Sequence, residues 1–478
     1  MHEAVILLQA GASPRLSRLL EFALDGTRVE RAELPAVEAG ALQGRRVLFA
    51  LTTGPGGMSM QAFSLLNALR THPGCLQDAV GSFIVDGSGE LYTKQAAQAL
   101  ALAANLAGCL LPGKPLVEGT GSLYNQRILA EQRNCSWEEA YFLRSRELVR
   151  RLAAFTPPRY ARPRVLMLHA SDNRRSNTVA MGRAVCSRLA EACDLQTVSL
   201  QNGAIYDCRG CSYTACLHYS RSGTCYYGGA LPTEVFPAIL NSDAVLLLCP
   251  NYNDSASANI MALINRMTSL LLQQTLYDKY LYAIVVSGYS GGDLVARQIL
   301  GALCLNKTMM LPPRFCLFQT AHDPGSALSS AGVQDRITQW ADEIRRTLLP
   351  PRRSPRPSFH APVRRDTGRH LFGRCKAAAL CIAGSAPRSK NLPHGGPNGH
   401  RCGRFCSFYA CSSSQAFISR RPSSDMGKVR PLPSGSFHSS TNRAKIRPPS
   451  SWPPCRPPFG PSSPHGAQSG TGEAPESR

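Results

Sequence analysis

Short apolar runs alternate with longer amphipathic stretches over roughly the first 350 of the 478 residues. Short apolar runs predict buried strands, and apolar positions recurring every three to four residues predict helices. In the first block these patterns place strands over residues 4–8, 46–51 and 80–86, and helices over residues 14–24, 59–70, 93–107 and 137–155.

The same alternation continues beyond a polar, proline-rich stretch at residues 158–163. It predicts strands over residues 165–168, 194–200, 244–248, 280–287 and 314–320, and helices over residues 179–192, 258–266, 294–303 and 333–348. Alternating strands and helices indicate a parallel α/β sheet with right-handed crossovers. We therefore expect two α/β domains, residues 1–157 and 164–350, joined by a linker at 158–163.

A polar loop follows the predicted strand at 165–168 and precedes a helix. Hydroxyl and amide side chains in it are Ser171, Asn173, Ser176, Asn177 and Thr178. Together with the free N–H groups of a helix start they suit a phosphate, and no lysine is needed. A single Ser or Thr here would indicate only a helix cap, but five such residues favour phosphate binding.

A second loop follows the predicted strand at 244–248. It contains Pro250, Asn251, Tyr252 and Asn253, and it also precedes a helix. Both loops lie at the carboxyl ends of parallel strands, where open α/β sheets bind ligands. Tyr252 and its amide neighbours suit a flat heteroaromatic ring, although Tyr252 is open to interpretation as a core or interface aromatic.

These two loops resemble motifs of NAD(P)H-dependent FMN reductases of flavodoxin-like fold. Residues 171–178 (SDNRRSNT) are similar to the phosphate loop GSPRxxSNT, and residues 249–266 are similar to the flavin loop TPVYxxxxSAxxKxxIDR. The family's Gly is Ala170 here, and its Pro-Arg pair is Asp172-Asn173. Two motifs in register are more specific than either alone.

The resemblance implies bound FMN, NAD(P)H as co-substrate and a homodimer with the flavin near its interface. It also implies a third flavin-contacting loop after the strand at 280–287, with Gly288, Tyr289, Gly291 and Gly292. The fold class that follows is α/β, with tandem flavodoxin-like doubly wound parallel sheets. The first domain has no aromatic loop like that at Tyr252, and we interpret it as a degenerate flavodoxin-like unit.

Four cysteines lie close together in an insertion of the second domain: Cys208, Cys211, Cys216 and Cys225. In a cytosolic protein such a group indicates a metal, a cluster or redox chemistry rather than structural disulfides. Iron–sulfur flavoproteins of the same superfamily carry a tighter cysteine run at this position. A [4Fe–4S] cluster and plain thiols both stay open, with zinc ranked third.

The net charge of +22 is concentrated in residues 351–478, which hold 21 of the 53 Lys and Arg but 4 of the 31 Asp and Glu. The same segment holds 19 of the 35 prolines. This composition predicts a disordered basic tail, and its abrupt onset favours an out-of-frame extension over a nucleic-acid-binding arm. Before residue 351 the charges nearly balance, so nucleic-acid binding ranks last.

The expected reaction is hydride transfer from NAD(P)H to FMN and electron transfer to an unknown acceptor. The alternative is a flavodoxin-like or iron–sulfur electron carrier without a nicotinamide site. We assign no catalytic residue, because flavin performs the redox chemistry itself and His169 and His218 have structural interpretations. No apolar stretch is long enough to span a membrane, and no basic secretory leader is evident, so we expect a cytoplasmic protein.

Overall fold

The computed structural model describes residues 3–171, 175–200, 203 and 205–351. Ten strands lie in these residues: β1 Val5–Ala10, β2 Val29–Ala32, β3 Arg46–Thr53, β4 Val80–Gly87, β5 Leu116–Gly119, β6 Arg164–His169, β7 Asp194–Ser199, β8 Ala244–Pro250, β9 Tyr280–Ser287 and β10 Cys316–Thr320. The predicted tail, residues 351–478, lies outside the described residues apart from Pro351.

The described helices pack on both faces of the sheets. They are α1 Pro14–Leu24, α2 Leu34–Glu38, α3 Met60–Thr71, α4 Thr93–Leu106, α5 Arg127–Arg133, α6 Trp137–Ala154, α7 Asn177–Leu189, α8 Tyr213–Ser220, α9 Phe236–Asn241, α10 Ala258–Leu271, α11 Gly292–Ile299, α12 Ser326–Ser329 and α13 Val333–Leu348. A 3-10 turn covers Tyr124–Gln126, and π-helical turns cover Leu231–Val235 and Leu300–Leu305. Among the described helices, none is both long and apolar enough to cross a membrane.

The strands form two five-stranded sheets, ordered β2-β1-β3-β4-β5 and β10-β9-β8-β6-β7. Every pairing between neighbouring strands is parallel. Both sheets have the strand order of flavodoxin, which confirms the predicted fold class of tandem flavodoxin-like doubly wound sheets. The sequence patterns did not reveal β2 and β5, because β2 is largely exposed and both are only four residues long.

Serine side chains fix the starts of several helices. Ser13, Ser59, Ser136 and Ser176 each accept a hydrogen bond from a backbone N–H in the first turn of the following helix. Such caps satisfy donors that the helix itself leaves unpaired.

The strongest sequence patterns predicted the correct helix bounds at Pro14–Leu24 and Val333–Leu348. The predicted helix end at residue 266 was wrong, because α10 continues to Leu271.

The second half of the described chain repeats the first. Phe83 of β4 pairs with Leu116 of β5, and Ala283 of β9 pairs with Cys316 of β10, so both members shift by 200 positions. Isolated bridges at Val80–Leu110 and Tyr280–Met310 show the same shift of 200 positions. The two sheets are therefore built on a common plan from their central strands onward.

Corresponding segments of the two halves meet at a reciprocal junction. The Leu111 N–H donates to the Leu311 carbonyl, and the Leu311 N–H donates to the Leu111 carbonyl, both at 2.9 Å. Nearby, the Lys114 N–H donates to the Cys304 carbonyl, and the Arg314 N–H donates to the Asn105 carbonyl, both at 3.0 Å. Exchange of equivalent contacts is the pattern of a two-fold interface between identical subunits.

One hydrophobic core runs through the junction. It includes Leu65 and Leu100 from helices of the first sheet, together with Leu263 and Leu300 from the second. Burial of apolar surface contributes about 25 cal/mol per Å², so this shared core holds the two sheets together. The division into separate domains at residues 158–163 stays a prediction.

Candidate functional site

The candidate site lies at the carboxyl ends of β6, β8 and β9. In the sheet, β7 lies on one side of β6 and β8 lies on the other. The order of strands along the chain therefore reverses between β6 and β8. Such a reversal opens a crevice at the carboxyl edge of a doubly wound sheet. The three loops singled out in the sequence border this edge.

The first loop presents hydroxyl groups at the start of α7. Ser176 caps the helix by accepting a hydrogen bond from the Val179 N–H at 3.2 Å, and its Oγ lies 3.1 Å from Thr178 Oγ1. Ser171 is only 4% exposed, and its Oγ has no hydrogen-bond partner among the described residues. Asn173 lies outside the described residues.

The side chain of Asn177 is engaged with the loop after β10. Its Nδ2 donates to the Asp323 carbonyl at 2.8 Å, and its Oδ1 accepts from the N–H groups of Gly325 and Ala327 at 2.8 and 3.3 Å. Asn177 therefore anchors a fourth loop beside the first, and its backbone is the part left to contact a phosphate.

The second loop folds into a tight turn at Tyr252–Ser255. The backbone groups of Tyr252 and Ser255 bond to each other at 3.0 and 3.1 Å, and Asn253 and Asp254 between them have φ of 52° and 57°. Two left-handed residues make the turn that asparagine and aspartate tolerate best. Tyr252 is consequently held outward, 55% exposed, directly after Pro250 and Asn251.

Asn251 connects the second and third loops. Its Nδ2 lies 2.9 Å from the Ser290 carbonyl, 3.2 Å from Ser287 Oγ and 3.3 Å from Asp254 Oδ1. Its Oδ1 is buried and has no partner in the described part of the chain. The side chain thus fixes the spacing of the two loops and offers one free acceptor.

The third loop lies against the second and contains a left-handed residue, a conformation that favours glycine. Gly291 has φ of 79°, and a Cβ atom built there would lie 1.9 Å from Asp254 Oδ1. Gly291 and Gly292 begin α11, so their backbone N–H groups lie at a helix start. Between Gly288 and Gly291 the ring of Tyr289 is 80% exposed.

His322 also lies at this edge, and the sequence analysis did not single it out. Its ring centroid is 5.4 Å from that of Tyr289, at an interplanar angle of 32°. A Cβ atom on Gly288 would lie 3.3 Å from His322 Nδ1. The available signal was its place two residues after a predicted strand, at the same edge as the other loops.

Three buried oxygens at this edge lack partners among the described residues: Ser171 Oγ, Asn251 Oδ1 and Ser257 Oγ. A buried polar group without a partner costs about 1–3 kcal/mol, so a ligand that supplies partners would be stabilised there. FMN carries phosphate oxygens, ribityl hydroxyls and ring nitrogens that match hydroxyl and amide groups. The donor set therefore fits FMN.

His169 ends β6 directly below the first loop. Its ring is buried, and Nδ1 lies 3.2 Å from the Ser171 carbonyl. Burial lowers the pKa of His169 below its ordinary value, with a further lowering by Arg183 and an opposing effect of the Ser171 carbonyl. The imidazole is thus a structural support of the loop in its neutral form.

We expect the free energy of unfolding to fall as pH drops below the unfolded histidine value of about 6.5 and on through the lowered pKa of His169. In that range the unfolded chain binds the proton more readily than the folded one. We expect the free energy of unfolding, measured with urea at several pH values, to change less steeply with pH in His169→Gln than in wild type. An equal dependence of stability on pH in wild type and His169→Gln would contradict the prediction.

The four cysteines lie in the insertion that packs on α10. Cys208 and Cys211 are exposed, Cys216 and Cys225 are half-buried, and all four are free thiols. Burial raises the pKa of Cys216, and the other three thiols raise it further, so the four lie in one neighbourhood. Within the described residues, however, no group of three or more His, Cys, Asp or Glu side chains is arranged to hold a metal ion. The [4Fe–4S] cluster stays a prediction.

Arg266 holds this insertion against α10. The guanidinium is only 2% exposed, donates to the Gly228 carbonyl at 2.7 Å and lies 3.4 Å from the Tyr206 carbonyl. It therefore contacts the chain on both sides of the cysteine segment.

The equivalent edge of the first sheet is filled by its own side chains. Arg15 donates to Asp86 Oδ1 at 2.7 Å, to the Gly87 carbonyl at 2.8 Å and to the Gly121 carbonyl at 3.0 Å. Ser13 Oγ donates to Asp86 Oδ2 at 2.7 Å. The buried carboxylate and the guanidinium thus bridge the segments after β1, β4 and β5. The interpretation of this unit as degenerate stays a prediction.

Comparison with solved structures gives matches at low similarity. An NAD(P)H:quinone oxidoreductase from Methanothermobacter marburgensis is 14% identical, with a TM-score of 0.30, over 38% of this chain and 96% of that chain. An azoreductase from Bacillus anthracis str. Sterne is 13% identical, with a TM-score of 0.29, over 38% and 98%. A FMN-dependent NADH-azoreductase from Bacillus anthracis str. Ames Ancestor, in complex with FMN, is 11% identical, with a TM-score of 0.27, over 38% and 99%. Comparison with curated proteins gave no match.

A family model gives the more specific result. The model of the NADPH-dependent FMN reductases matches residues 163–323, which begin just before β6 and include all three loops and His322. The segment from residue 163 to residue 323 is therefore similar to the NADPH-dependent FMN reductases.

Proposed function

We propose that this chain binds FMN at the three loops of its second sheet and transfers reducing equivalents from NAD(P)H to an acceptor. The observation that carries the proposal is the set of three unpartnered buried oxygens, Ser171 Oγ, Asn251 Oδ1 and Ser257 Oγ, at one edge of the sheet. The match of residues 163–323 to an FMN reductase family supports it.

Each loop has a distinct part in this proposal. Ser171, Ser176 and the N–H groups at the start of α7 would hold the phosphate, because a helix start attracts negative charge. Asn251 and Tyr252 would orient the ring from one side, and Gly288 to Gly292 would border it from the other. The N–H groups of Gly291 and Gly292 begin α11 and would stabilise negative charge on the ring.

FMN, when bound, accepts a hydride from a nicotinamide and passes electrons to an acceptor. The chain needs no catalytic triad for this chemistry. Its own residues bind the cofactor, fix its orientation and leave one face open to substrates. Tyr252 and Tyr289 are both exposed at this edge and would border the open face.

Replacing Ser171 with alanine tests the phosphate site. We expect FMN affinity to fall about tenfold, because one charge-assisted hydrogen bond is lost. The free protein should unfold at the same or a slightly higher denaturant concentration, since the buried hydroxyl has no partner to lose. Fluorescence titration with FMN and urea unfolding measure the two effects.

Ser145→Ala is the matched control, because Ser145 is also buried but donates to the Tyr141 carbonyl at 2.9 Å. It should lower stability by about 1 kcal/mol and leave FMN affinity unchanged. Loss of stability without loss of FMN affinity in Ser171→Ala would show that the hydroxyl has a packing role only.

Addition of NADPH to the FMN-loaded full chain distinguishes a reductase from an electron carrier. Bleaching of the flavin absorbance would support the reductase, whereas bound FMN that NADPH and NADH leave oxidised would favour the electron carrier.

The homodimer, the cytoplasmic location and the [4Fe–4S] cluster are proposals that rest on the sequence. Light scattering and iron analysis of the purified protein test the first and the last.

A further inference from the structure

The loop after β10 places a histidine at the rim of the proposed FMN site. The Ala321 N–H donates to the Ser287 carbonyl at 2.9 Å, which continues the pairing of β10 with β9 past the strand end. This contact sets His322 beside Gly288, at the beginning of the third loop. The imidazole is exposed and lies against the exposed ring of Tyr289.

The position of His322 is fixed from its other side as well. Asn177 holds the Asp323 carbonyl and the N–H groups of Gly325 and Ala327, so the loop is tied to the start of α7. The Ser326 N–H also donates to the Asp323 carbonyl, at 3.0 Å. The backbone is thus anchored on both sides of His322, which fixes where its side chain starts.

An exposed tyrosine next to an exposed imidazole does little for the core. Tyr289 is 80% exposed, although aromatic rings usually stabilise a fold by being buried. Both rings are exposed beside the third loop and lie against each other, so a flat substrate would stack on them. A histidine there can donate a proton near neutral pH, which its neighbours Gly288 and Tyr289 cannot do as readily.

We propose that Tyr289 and His322 form the acceptor-binding wall of the site and that His322 protonates the acceptor during its reduction. The inference rests on the proposed function. The acceptor class is a flat aromatic molecule whose oxygen or nitrogen gains negative charge on reduction. For a quinone, two electrons and one proton arrive from the reduced cofactor as a hydride equivalent, and the second proton comes from the His322 imidazolium. Both carbonyl oxygens become hydroxyls, and exposed His322 regains its proton from water.

The test compares two oxidants with the FMN-loaded, NADPH-reduced full chain. 1,4-Benzoquinone needs a proton when it is reduced, whereas ferricyanide takes single electrons and needs none. For His322→Gln we expect reoxidation by benzoquinone to slow about a hundredfold and reoxidation by ferricyanide to stay at the wild-type rate.

FMN affinity, measured by fluorescence titration, should be the same in wild type, His322→Gln and the control His72→Gln. His72 lies at the end of α3, on the first sheet, and its replacement should leave both oxidation rates unchanged. Equal slowing with both oxidants, or no slowing with either, would overturn the role of His322 and leave the FMN site intact. A wild-type protein that takes up no FMN would overturn the proposed function and this inference with it.

Discussion

Replacing Gly113 with valine should lower the free energy of unfolding by about 3 kcal/mol, because overpacking a rigid site costs about that much. A Cβ atom at Gly113 would lie 2.0 Å from the Thr308 carbonyl oxygen and 2.9 Å from Tyr277 Cδ1. The carbonyl belongs to the backbone, so it cannot rotate away like a flexible side chain. The junction between the two halves would have to separate, and denaturant unfolding measures the loss.

Gly56→Val is the control for this experiment. Gly56 is exposed, has no atom within 4 Å of an added Cβ and lies in a turn of the first sheet. Its replacement should change stability by less than about 1 kcal/mol. Equal stability of the Gly113→Val and Gly56→Val proteins would mean that the two halves are not packed as closely as described.

Replacing Gly291 with valine should weaken FMN binding about a hundredfold, a loss of about 2.8 kcal/mol in binding free energy. Valine at a φ of 79° is strained. Its Cβ atom would lie 1.9 Å from Asp254 Oδ1, so the Asp254 carboxylate would have to move. Asn251 Nδ2, at 3.1 Å, would have to move as well. The hydrogen bonds that space the second and third loops would then be lost, which a fluorescence titration with FMN detects.

Gly332→Val separates backbone strain from crowding. Gly332 also precedes a helix and has φ of 68°, but nothing lies within 4 Å of an added Cβ. We expect both variants to lose about 1–2 kcal/mol of stability from the left-handed backbone and only Gly291→Val to lose FMN affinity. A similar loss of FMN affinity in both would show that general destabilisation is responsible.

Central strands and long helices were predictable because their patterns are strong. β9 is buried at every position, so its apolar run gave both of its ends correctly, and α13 has a clear apolar stripe. Edge strands such as β2 were not predictable, since four residues with half their side chains exposed carry no periodicity. Pairing with β1 makes β2 a strand, and that contact is not local in sequence.

The candidate site was predictable as a set of loops, but the contacts within it were not. Asn177 matches a motif position, yet its amide is bound to a loop almost 150 residues later in the chain. His322 follows a strand whose neighbour in the sheet had to be known before its place could be inferred. The Arg15–Asp86 pair likewise joins a residue of α1 to a residue of β4, which only the sheet order brings together.

The reciprocal junction at Leu111 and Leu311 joins two related halves that one polypeptide encodes. In a homodimer every substitution appears in both subunits, so neither binding edge can be lost alone. Here the halves evolve separately, and their association does not weaken on dilution because a covalent chain keeps them at high effective concentration. The first half can therefore carry the Arg15–Asp86 pair at its own edge while the second half keeps different residues at the equivalent edge.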